Sequence, residues 1–516
     1  MCLSSSAMGG GNGMRRCEDF KVEVKRKEVV EAALPLQEHW LPLSNLDLLL
    51  PALDVGVFFC YKKQPPTTDD DDDHNLILIF GSMVNILKKS LAQALVSYYL
   101  FAGELVTNSA GEPELLCNNR GVDFIEAYAD VDLCHIDLHN PDATVEGKLV
   151  PNKKSGVLSV QATELRCGGI VVGCKFDHRI ADAYSTNMFL VAWAEIARLK
   201  ATSLVPTLRR SLLNPSRPLR YDPSLDDMYV PVSKLPPPPP PAHTKKEHSS
   251  SPEPEPEPDD DDDDDDDLMI SRIYYVTAKD IEWIQSQASS SSPSKQQSRR
   301  SKLESFSALL WQTIAKSVVS DDDDGNNTNK KCKIGIVVDG RSRLGSSSSS
   351  KGGDDRDPMS SYLGNVLSIP FGEAPAKELK TRPLSWAAKA VHGFLESAVT
   401  KEHFLGLIDW VEAHRPEPAL AKIYCKGTED GPALVVSSGQ RFPVSKVDFG
   451  WGKPVFGSYH FPWEGDAGYV MPMPSSHENG DWVVYMHLFK SHLELLEADD
   501  QAASIFRPFT SDYLLL

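Results

Sequence analysis

The chain has 516 residues, of which 41% are hydrophobic, enough to bury a sizeable core in each of two or more domains. Its formal charge of −20 comes mainly from three runs, Asp69–Asp73, Asp259–Asp267 and Asp321–Asp324, which hold 18 aspartates; without them the charge is −2. The near-neutral remainder has no basic stripe and no run of about 18 apolar residues, so we expect no nucleic-acid partner and no membrane span.

The N-terminus and the cysteines bear on the cellular compartment. Residues 1–17 are rich in Ser and Gly and lack the apolar core of a signal peptide, so we predict a disordered N-terminus. The nine cysteines are scattered, odd in number and without a C-x-x-C pair. This pattern is typical of reduced thiols, and we expect a cytoplasmic protein.

Hydrophobic periodicity predicts that helices and strands alternate along the chain. In the first half it predicts a helix over 83–100, a buried strand over 168–176 and a helix from residue 183 onward. In the second half it predicts helices over 304–318 and 383–398, and strands over 333–338, 433–438 and 482–488. The predicted fold class is α/β, with mixed β-sheets flanked by helices.

Five segments are too polar or too strongly charged to join a packed core. They are residues 64–74, 236–267, 287–300, 320–328 and 345–357. We interpret them as solvated insertions, and residues 206–267 as a crossover linker between an N-terminal domain, 18–205, and a C-terminal domain, 268–516. The alternative is an acidic interaction protein built around the aspartate runs.

The stretch KFDHRIADAYS, Lys175–Ser185, lies where a predicted strand gives way to a helix. At the carboxyl end of a strand His178 could act as a general base, because an imidazole with a pKa of about 6.5 is mostly neutral at cellular pH. Asp182 could orient that base if both lay on one face of a helical turn, but the intervening turn favours side chains that point apart. The alternative is a structural histidine followed by an N-capping aspartate.

The signatures of several other enzyme classes are missing. The sequence has no G-x-S-x-G nucleophile elbow, no G-x-x-x-x-G-K-[ST] phosphate loop and no H-E-x-x-H zinc helix. An EF-hand loop around Gly325 would need Ser320 and Lys331 as ligands at its first and twelfth positions, which does not fit calcium. We therefore expect no metal and no permanently bound cofactor.

A second distinctive stretch, DFGWG, lies near the C-terminus. Its two glycines flank a tryptophan and predict a tight loop held by an ion pair. The loop consists of Asp448, Phe449, Gly450, Trp451 and Gly452.

Taken together, His178–Asp182 and Asp448–Gly452 resemble the H-x-x-x-D and D-F-G-W-G motifs of the BAHD family of plant acyl-CoA-dependent acyltransferases. Their order and their spacing of about 270 residues fit that family. Four further stretches share the resemblance: LKKSLAQALVSYYLFAGEL at 87–105, CNNRGVDFIEA at 117–127, VVDGRSRL at 337–344 and YLGNVL at 362–367.

The resemblance implies two chloramphenicol-acetyltransferase-like domains with an active-site channel at their interface and acyl-CoA as co-substrate. It implies that His178 is the general base, which deprotonates the acceptor as that attacks the thioester carbonyl. Asp182 is implied to point away from the base and pair with an arginine, here Arg341. Asp448–Gly452 is implied to hold the site near the CoA channel without proton transfer, and we expect a monomer.

Three positions depart from the family pattern. Asp177 and Ala183 stand where a histidine and a glycine are common, and Asp177 would raise the pKa of His178 if it lay close. Gly439 stands where many relatives carry tryptophan, which would widen the acceptor pocket. The stretches LPLQEHWLPLSNLDLLLP, DHRIADA and FGSYHFPW resemble the coniferyl-alcohol acyltransferase branch.

The expected function is acyl transfer from acyl-CoA to a hydroxyl of a plant phenolic or aliphatic alcohol. Two alternatives stay open from the sequence. A neutral histidine base would also serve N-acylation of an amine. A BAHD-like scaffold could also have lost catalysis and act as a binding protein.

Overall fold

Two mixed β-sheets flanked by helices form the framework of the protein, and they confirm the predicted α/β class. The computed structural model describes residues 19–63, 79–235, 268–289, 299–318, 330–345, 357–425 and 430–514. The predicted disordered residues 1–17 and most residues of the five low-complexity segments lie outside these ranges.

The first sheet has six strands. In spatial order they are Val22–Val30, Val122–Ala129, Leu158–Leu165, Ile170–Asp177, Asp54–Tyr61 and Phe456–His460. Neighbouring strands are antiparallel, except that Val122–Ala129 runs parallel to Leu158–Leu165. The buried strand predicted over 168–176 is confirmed as Ile170–Asp177.

The last strand of the first sheet comes from the second half of the chain. Phe456–His460 pairs with Asp54–Tyr61, so that Tyr459 lies opposite Val57 and His460 opposite Gly56. The predicted C-terminal domain, 268–516, thus contributes a strand to the sheet of the first half. The two halves are joined through a shared sheet as well as through the crossover.

The second sheet has eight strands. Seven follow one another in the order Leu367–Ser368, Lys331–Asp339, Asp430–Ser437, Ala467–Pro474, Trp482–Phe489, Met269–Val276 and Arg507–Pro508, and Phe371–Pro375 also pairs with Lys331–Asp339. The strands predicted over 333–338, 433–438 and 482–488 are all confirmed here. Two smaller sheets pair Tyr229–Pro231 with Ala419–Ala421, and His39–Pro42 with Pro113–Cys117 and Glu104–Thr107.

The helices bury their apolar stripes against the sheets. The helix predicted over 83–100 spans Phe80–Ser97 and buries Leu87, Leu91 and Leu95 on one side. The described α-helices are Phe80–Ser97, Pro141–Thr144, Ala183–Ala197, Leu225–Met228, Ala278–Ser289, Lys302–Ala315, Arg341–Leu344, Ala376–Thr381, Leu384–Ala398, Lys401–His414, Lys490–Ala498 and Asp500–Ile505. Within the described ranges, no helix combines the length and apolar character needed to cross a membrane.

The predicted crossover, residues 206–267, is described as far as residue 235 and packs on the second half. The Leu363 N–H donates to the Thr207 carbonyl at 3.0 Å, and the Thr207 N–H donates to the Ser361 carbonyl at 2.8 Å. Further along, Tyr229–Pro231 pairs with Ala419–Ala421. The segment that follows the first half is therefore held beside residues 361–363, close to the predicted site.

Candidate active site

His178 lies in the tight turn between strand Ile170–Asp177 and helix Ala183–Ala197. Its backbone N–H donates to the Leu53 carbonyl at 3.0 Å, and its ring meets Phe461 edge-on with centroids 6.4 Å apart. Ring atom Nδ1 is buried and has no hydrogen-bonding partner among the described residues. Among the described residues no carboxylate therefore binds Nδ1, and His178 lines a cavity.

That cavity has a volume of about 320 Å³ and lies between the two halves of the chain. The first half contributes aliphatic and aromatic side chains, among them Leu53, Val55 and Phe176. The second half contributes aliphatic side chains together with aromatic and hydroxyl groups, among them Tyr424, Ser437, Phe461, Trp463 and Tyr469. A ligand in this cavity would meet apolar surface and hydroxyl groups next to the imidazole.

Asp182 does not reach toward His178. It is 1% exposed, and its carboxylate accepts hydrogen bonds from Arg341 Nη1 at 2.8 Å and Nη2 at 3.1 Å. The same carboxylate caps helix Ala183–Ala197 through the Ser185 N–H at 2.9 Å and accepts from the Val366 N–H at 3.1 Å. The structure thus brings Asp182 and Arg341 together in a buried ion pair, away from His178.

The guanidinium of Arg341 stays charged in this buried setting. Burial alone would lower the pKa of Arg341, but Asp182 and Asp339 raise it above its ordinary value. Asp339 lies 3.1 Å from the guanidinium, and Tyr184 stacks on it with its ring centre 4.5 Å away. Tyr184 lines the cavity, so the ion pair also supports part of the cavity wall.

Asp177, the neighbour that departs from the family pattern, is bound within the same turn. Its two carboxylate oxygens accept from Arg179 Nε at 2.9 Å and Nη2 at 2.7 Å. The Arg179 N–H also donates to it at 3.0 Å. The charge of Asp177 is therefore balanced by an adjacent cation.

The DFGWG loop lies outside the residues that line the His178 cavity. Asp448 closes the loop, because one carboxylate oxygen accepts from the N–H groups of Gly450 at 2.8 Å and Gly452 at 3.0 Å. Both glycines have positive φ, 114° and 97°, which side chains disfavour. The other oxygen of Asp448 pairs with Arg198 at 3.1 Å.

The loop braces the helix that follows the His178 turn. Arg198 ends helix Ala183–Ala197, and Phe449 packs on Trp193 of that helix with ring centroids 4.7 Å apart. Trp451 stacks on Phe449 at 5.6 Å. The loop therefore holds one end of the helix, while Asp182 holds the other.

Gly439 does not widen the cavity as expected. It is buried and is absent from the cavity lining, although Ser438 and Gln440 on either side of it line the cavity. A Cβ at this position would lie 2.6 Å from the Pro472 carbonyl oxygen. Glycine is required here because strand Ala467–Pro474 approaches closely, and the expectation of a larger acceptor pocket is wrong.

Several cavity residues were not singled out as site residues from the sequence. Asn187 accepts a hydrogen bond from the Tyr459 hydroxyl at 2.9 Å, and both line the cavity. Tyr459, Phe461 and Trp463 fall at every second position of the stretch FGSYHFPW. This alternation is the sequence signal that could have placed them on one face of a strand.

The family model described as "Transferase family" matches residues 20–503. Anthranilate N-benzoyltransferase protein 3 of Dianthus caryophyllus is 28% identical over 494 residues, and the match covers 93% of this chain and 99% of that protein. Shikimate O-hydroxycinnamoyltransferase of Nicotiana tabacum is 26% identical over 495 residues, and the match covers 93% of this chain and 99% of that protein.

The fold has a counterpart among solved structures. The crystal structure of vinorine synthase matches with a TM-score of 0.61 at 20% identity, covering 95% of this chain and 100% of that one. At this level of identity the likeness concerns the fold, and it agrees with the predicted two-domain arrangement of mixed sheets and helices.

Proposed function

This chain belongs to the Transferase family, the BAHD acyl-CoA-dependent acyltransferases, and from that premise we propose that it acylates a hydroxyl of a plant phenolic or aliphatic alcohol, with His178 as general base. The observation that carries the proposal is the position of His178. His178 lines a cavity of about 320 Å³ between the two halves, and its Nδ1 is buried without a partner among the described residues, so we assign the role of base to Nε2.

The proposed step is a direct acyl transfer. His178 Nε2 accepts the proton of the acceptor hydroxyl while the oxygen attacks the thioester carbonyl carbon. The tetrahedral intermediate collapses, the C–S bond breaks, and the sulfur of CoA leaves with the proton that the imidazolium returns. A base of this kind contributes about 10²- to 10⁴-fold in rate.

The chemistry of the cavity wall supports a neutral, largely apolar acceptor. Its ionised lining groups are Asp339 and Arg441, which lie 3.5 Å from each other. Asp339 is also bound by Arg341. The remaining lining is aliphatic, aromatic, hydroxyl or amide, which suits an alcohol with an aromatic or aliphatic body.

An amine acceptor is the second candidate. It is favoured by the similarity to an anthranilate N-benzoyltransferase, and a neutral imidazole can take a proton from an attacking amine as well as from a hydroxyl. Within alcohols, we hold the resemblance to the coniferyl-alcohol branch as a working hypothesis. We also propose a cytoplasmic monomer with domains at 18–205 and 268–516.

Release of free CoA thiol from acetyl-CoA and coumaroyl-CoA, measured with alcohol and amine panels, tests the function. We expect turnover with an alcohol, and a loss of at least about 10²-fold in His178→Ala with the protein still folded. His135→Ala, a partly exposed histidine outside the cavity lining, is the matched control and should keep its turnover. Near-normal turnover of His178→Ala would remove this residue from the mechanism.

A further inference from the structure

The stretch YLGNVL is bonded to the turn that carries the base, although no role was assigned to it from the sequence. The Val366 N–H donates to Asp182, and Gly364 exchanges hydrogen bonds with the Ser185 hydroxyl at 2.8 and 3.1 Å. Between these contacts, Asn365 Nδ2 donates to the carbonyl oxygen of His178 at 3.0 Å. Residues 364–366 therefore follow the turn from His178 to Ser185 and bond to both of its ends.

Asn365 is itself held in one orientation. Its side-chain NH₂ also donates to Asp47 Oδ1 at 2.9 Å, and its backbone N–H donates to the same oxygen at 2.7 Å. Both Asn365 and Asp47 are fully buried. A flipped amide would place its oxygen against two acceptor oxygens, so the donor must point at His178.

Asp47 is fixed from the other side. Its Oδ2 accepts from the N–H of Ser44 at 2.9 Å and from the hydroxyl of Ser44 at 2.7 Å. The Asn365 side-chain oxygen, in contrast, is buried without a partner among the described residues. A buried polar atom left unsatisfied costs free energy, and the two hydrogen bonds made by the amide nitrogen offset that cost.

These backbone contacts matter because no described residue forms a polar bond with the imidazole ring itself. The Nδ1 atom has no hydrogen-bonding partner among the residues that the structure describes, and the ring packs on Phe461. Its direction is then set by the backbone of the turn, whose N–H is held by Leu53 and whose carbonyl is held by Asn365. Misplacing a catalytic group by about 1 Å can cost about 10²-fold in rate.

We propose that Asn365, oriented by Asp47, is a positioning residue that fixes the carbonyl of His178 and thereby aims the base into the cavity. This inference rests on the proposed role of His178. It assigns Asn365 no contact with substrate and no proton transfer. The alternative is a buried asparagine that stabilises the fold and affects turnover no more than any other buried hydrogen bond would.

Asn45 provides the matched control. It is 3% exposed, and its Nδ2 likewise donates to a backbone carbonyl, that of Ile408, at 2.9 Å. It also bonds to Glu412 and Arg415, so its removal breaks at least as many buried contacts. Asn45 is not among the residues that line the His178 cavity.

The experiment measures kcat and KM for Asn365→Ala, Asn365→Ser and Asn45→Ala in the full-length protein, with fold checked by circular dichroism. Serine is too short to reach the His178 carbonyl but leaves a smaller void. We expect kcat to fall about 10- to 100-fold in both Asn365 variants, with KM for acyl-CoA within about twofold. Asn45→Ala should lose stability and keep its kcat.

A double-mutant cycle separates positioning from general destabilisation. If Asn365 acts through the base, Asn365→Ala should cause no further loss of rate in the His178→Ala background. An equal loss in both backgrounds, an unchanged kcat, or failure of both Asn365 variants to fold while Asn45→Ala folds would overturn the assignment. Undiminished turnover of His178→Ala would instead overturn the proposed function.

Discussion

Replacing Asp182 with alanine should destabilise the protein strongly, because it breaks a buried ion pair from one side. Asp182 and Arg341 are 1% and 3% exposed, and Asp182 accepts four hydrogen bonds, two of them from the guanidinium. Removing one partner of such a pair costs about 3–5 kcal/mol. Asp339 remains beside Arg341 and limits the loss, whereas the N–H groups of Ser185 and Val366 lose their acceptor.

We therefore expect a loss of about 3–5 kcal/mol in the free energy of unfolding, a large share of the roughly 5–15 kcal/mol typical of folded proteins. Urea unfolding followed by tryptophan fluorescence measures it. The double variant Asp182→Ala/Arg341→Ala no longer buries an unpaired charge. Its loss of stability should therefore be smaller than the sum of the losses in the two single variants.

The same measurements discriminate between two roles for Asp182. If Asp182 oriented His178, Asp182→Ala would lower turnover and leave the urea midpoint of unfolding unchanged. If Asp182 instead anchors the turn through its ion pair with Arg341, Asp182→Ala would lower the midpoint. Turnover would then fall because the turn that carries His178 is displaced. If Asp182→Ala keeps the wild-type midpoint, or if the two single losses simply add, the ion-pair reasoning is wrong.

Two further predictions concern residues outside the base turn. Asp448→Ala removes the acceptor of two loop N–H groups, so we expect the free energy of unfolding in urea to fall by about 1–3 kcal/mol. Turnover should fall less than in His178→Ala. An equal loss of turnover would mean that the loop takes part in the chemistry. Burial lowers the pKa of His403 to about 4, below the 6.5 of a histidine in the unfolded chain. Between pH 4 and pH 6.5 the unfolded protein therefore binds more protons than the folded protein. Stability should therefore fall by about 3 kcal/mol as pH drops from 6.5 to 4, and His403→Gln should remove that share of the pH dependence; an unchanged pH profile would contradict the pKa shift.

The local elements of the fold could be predicted because each has a periodic apolar pattern. The start of helix Ala183–Ala197 and both ends of the strand before it agree with the prediction to within two residues. The place of Phe456–His460 could not be predicted. Its partner strand lies about 400 residues earlier in the chain, and a short strand carries no local signal for the sheet it joins.

In the site, too, contiguous motifs could be predicted from the sequence, and contacts between residues far apart in the chain could not. The residues of the two motifs could be named from the sequence, since each motif is contiguous. The direction of Asp182, away from His178, followed from the change of strand to helix between them. The link from Asp47 through Asn365 to His178 was missed, because Asp47 and Asn365 are separated by 318 residues and Asn365 bonds to the backbone carbonyl of His178, which leaves no trace in a motif.

The contacts of the His178 turn explain why the base needs both halves of the chain. The His178 N–H is held by Leu53 in the first half, while its carbonyl is held by Asn365 of the second. Arg341 and Val366, also of the second half, hold the Asp182 carboxylate. The strand Phe456–His460 carries Phe461 at its end and brings that ring against the imidazole from the second half as well. Neither half alone contains the groups that set the direction of the ring. The His178 ring is therefore oriented only where the two halves meet, which is also where the cavity lies.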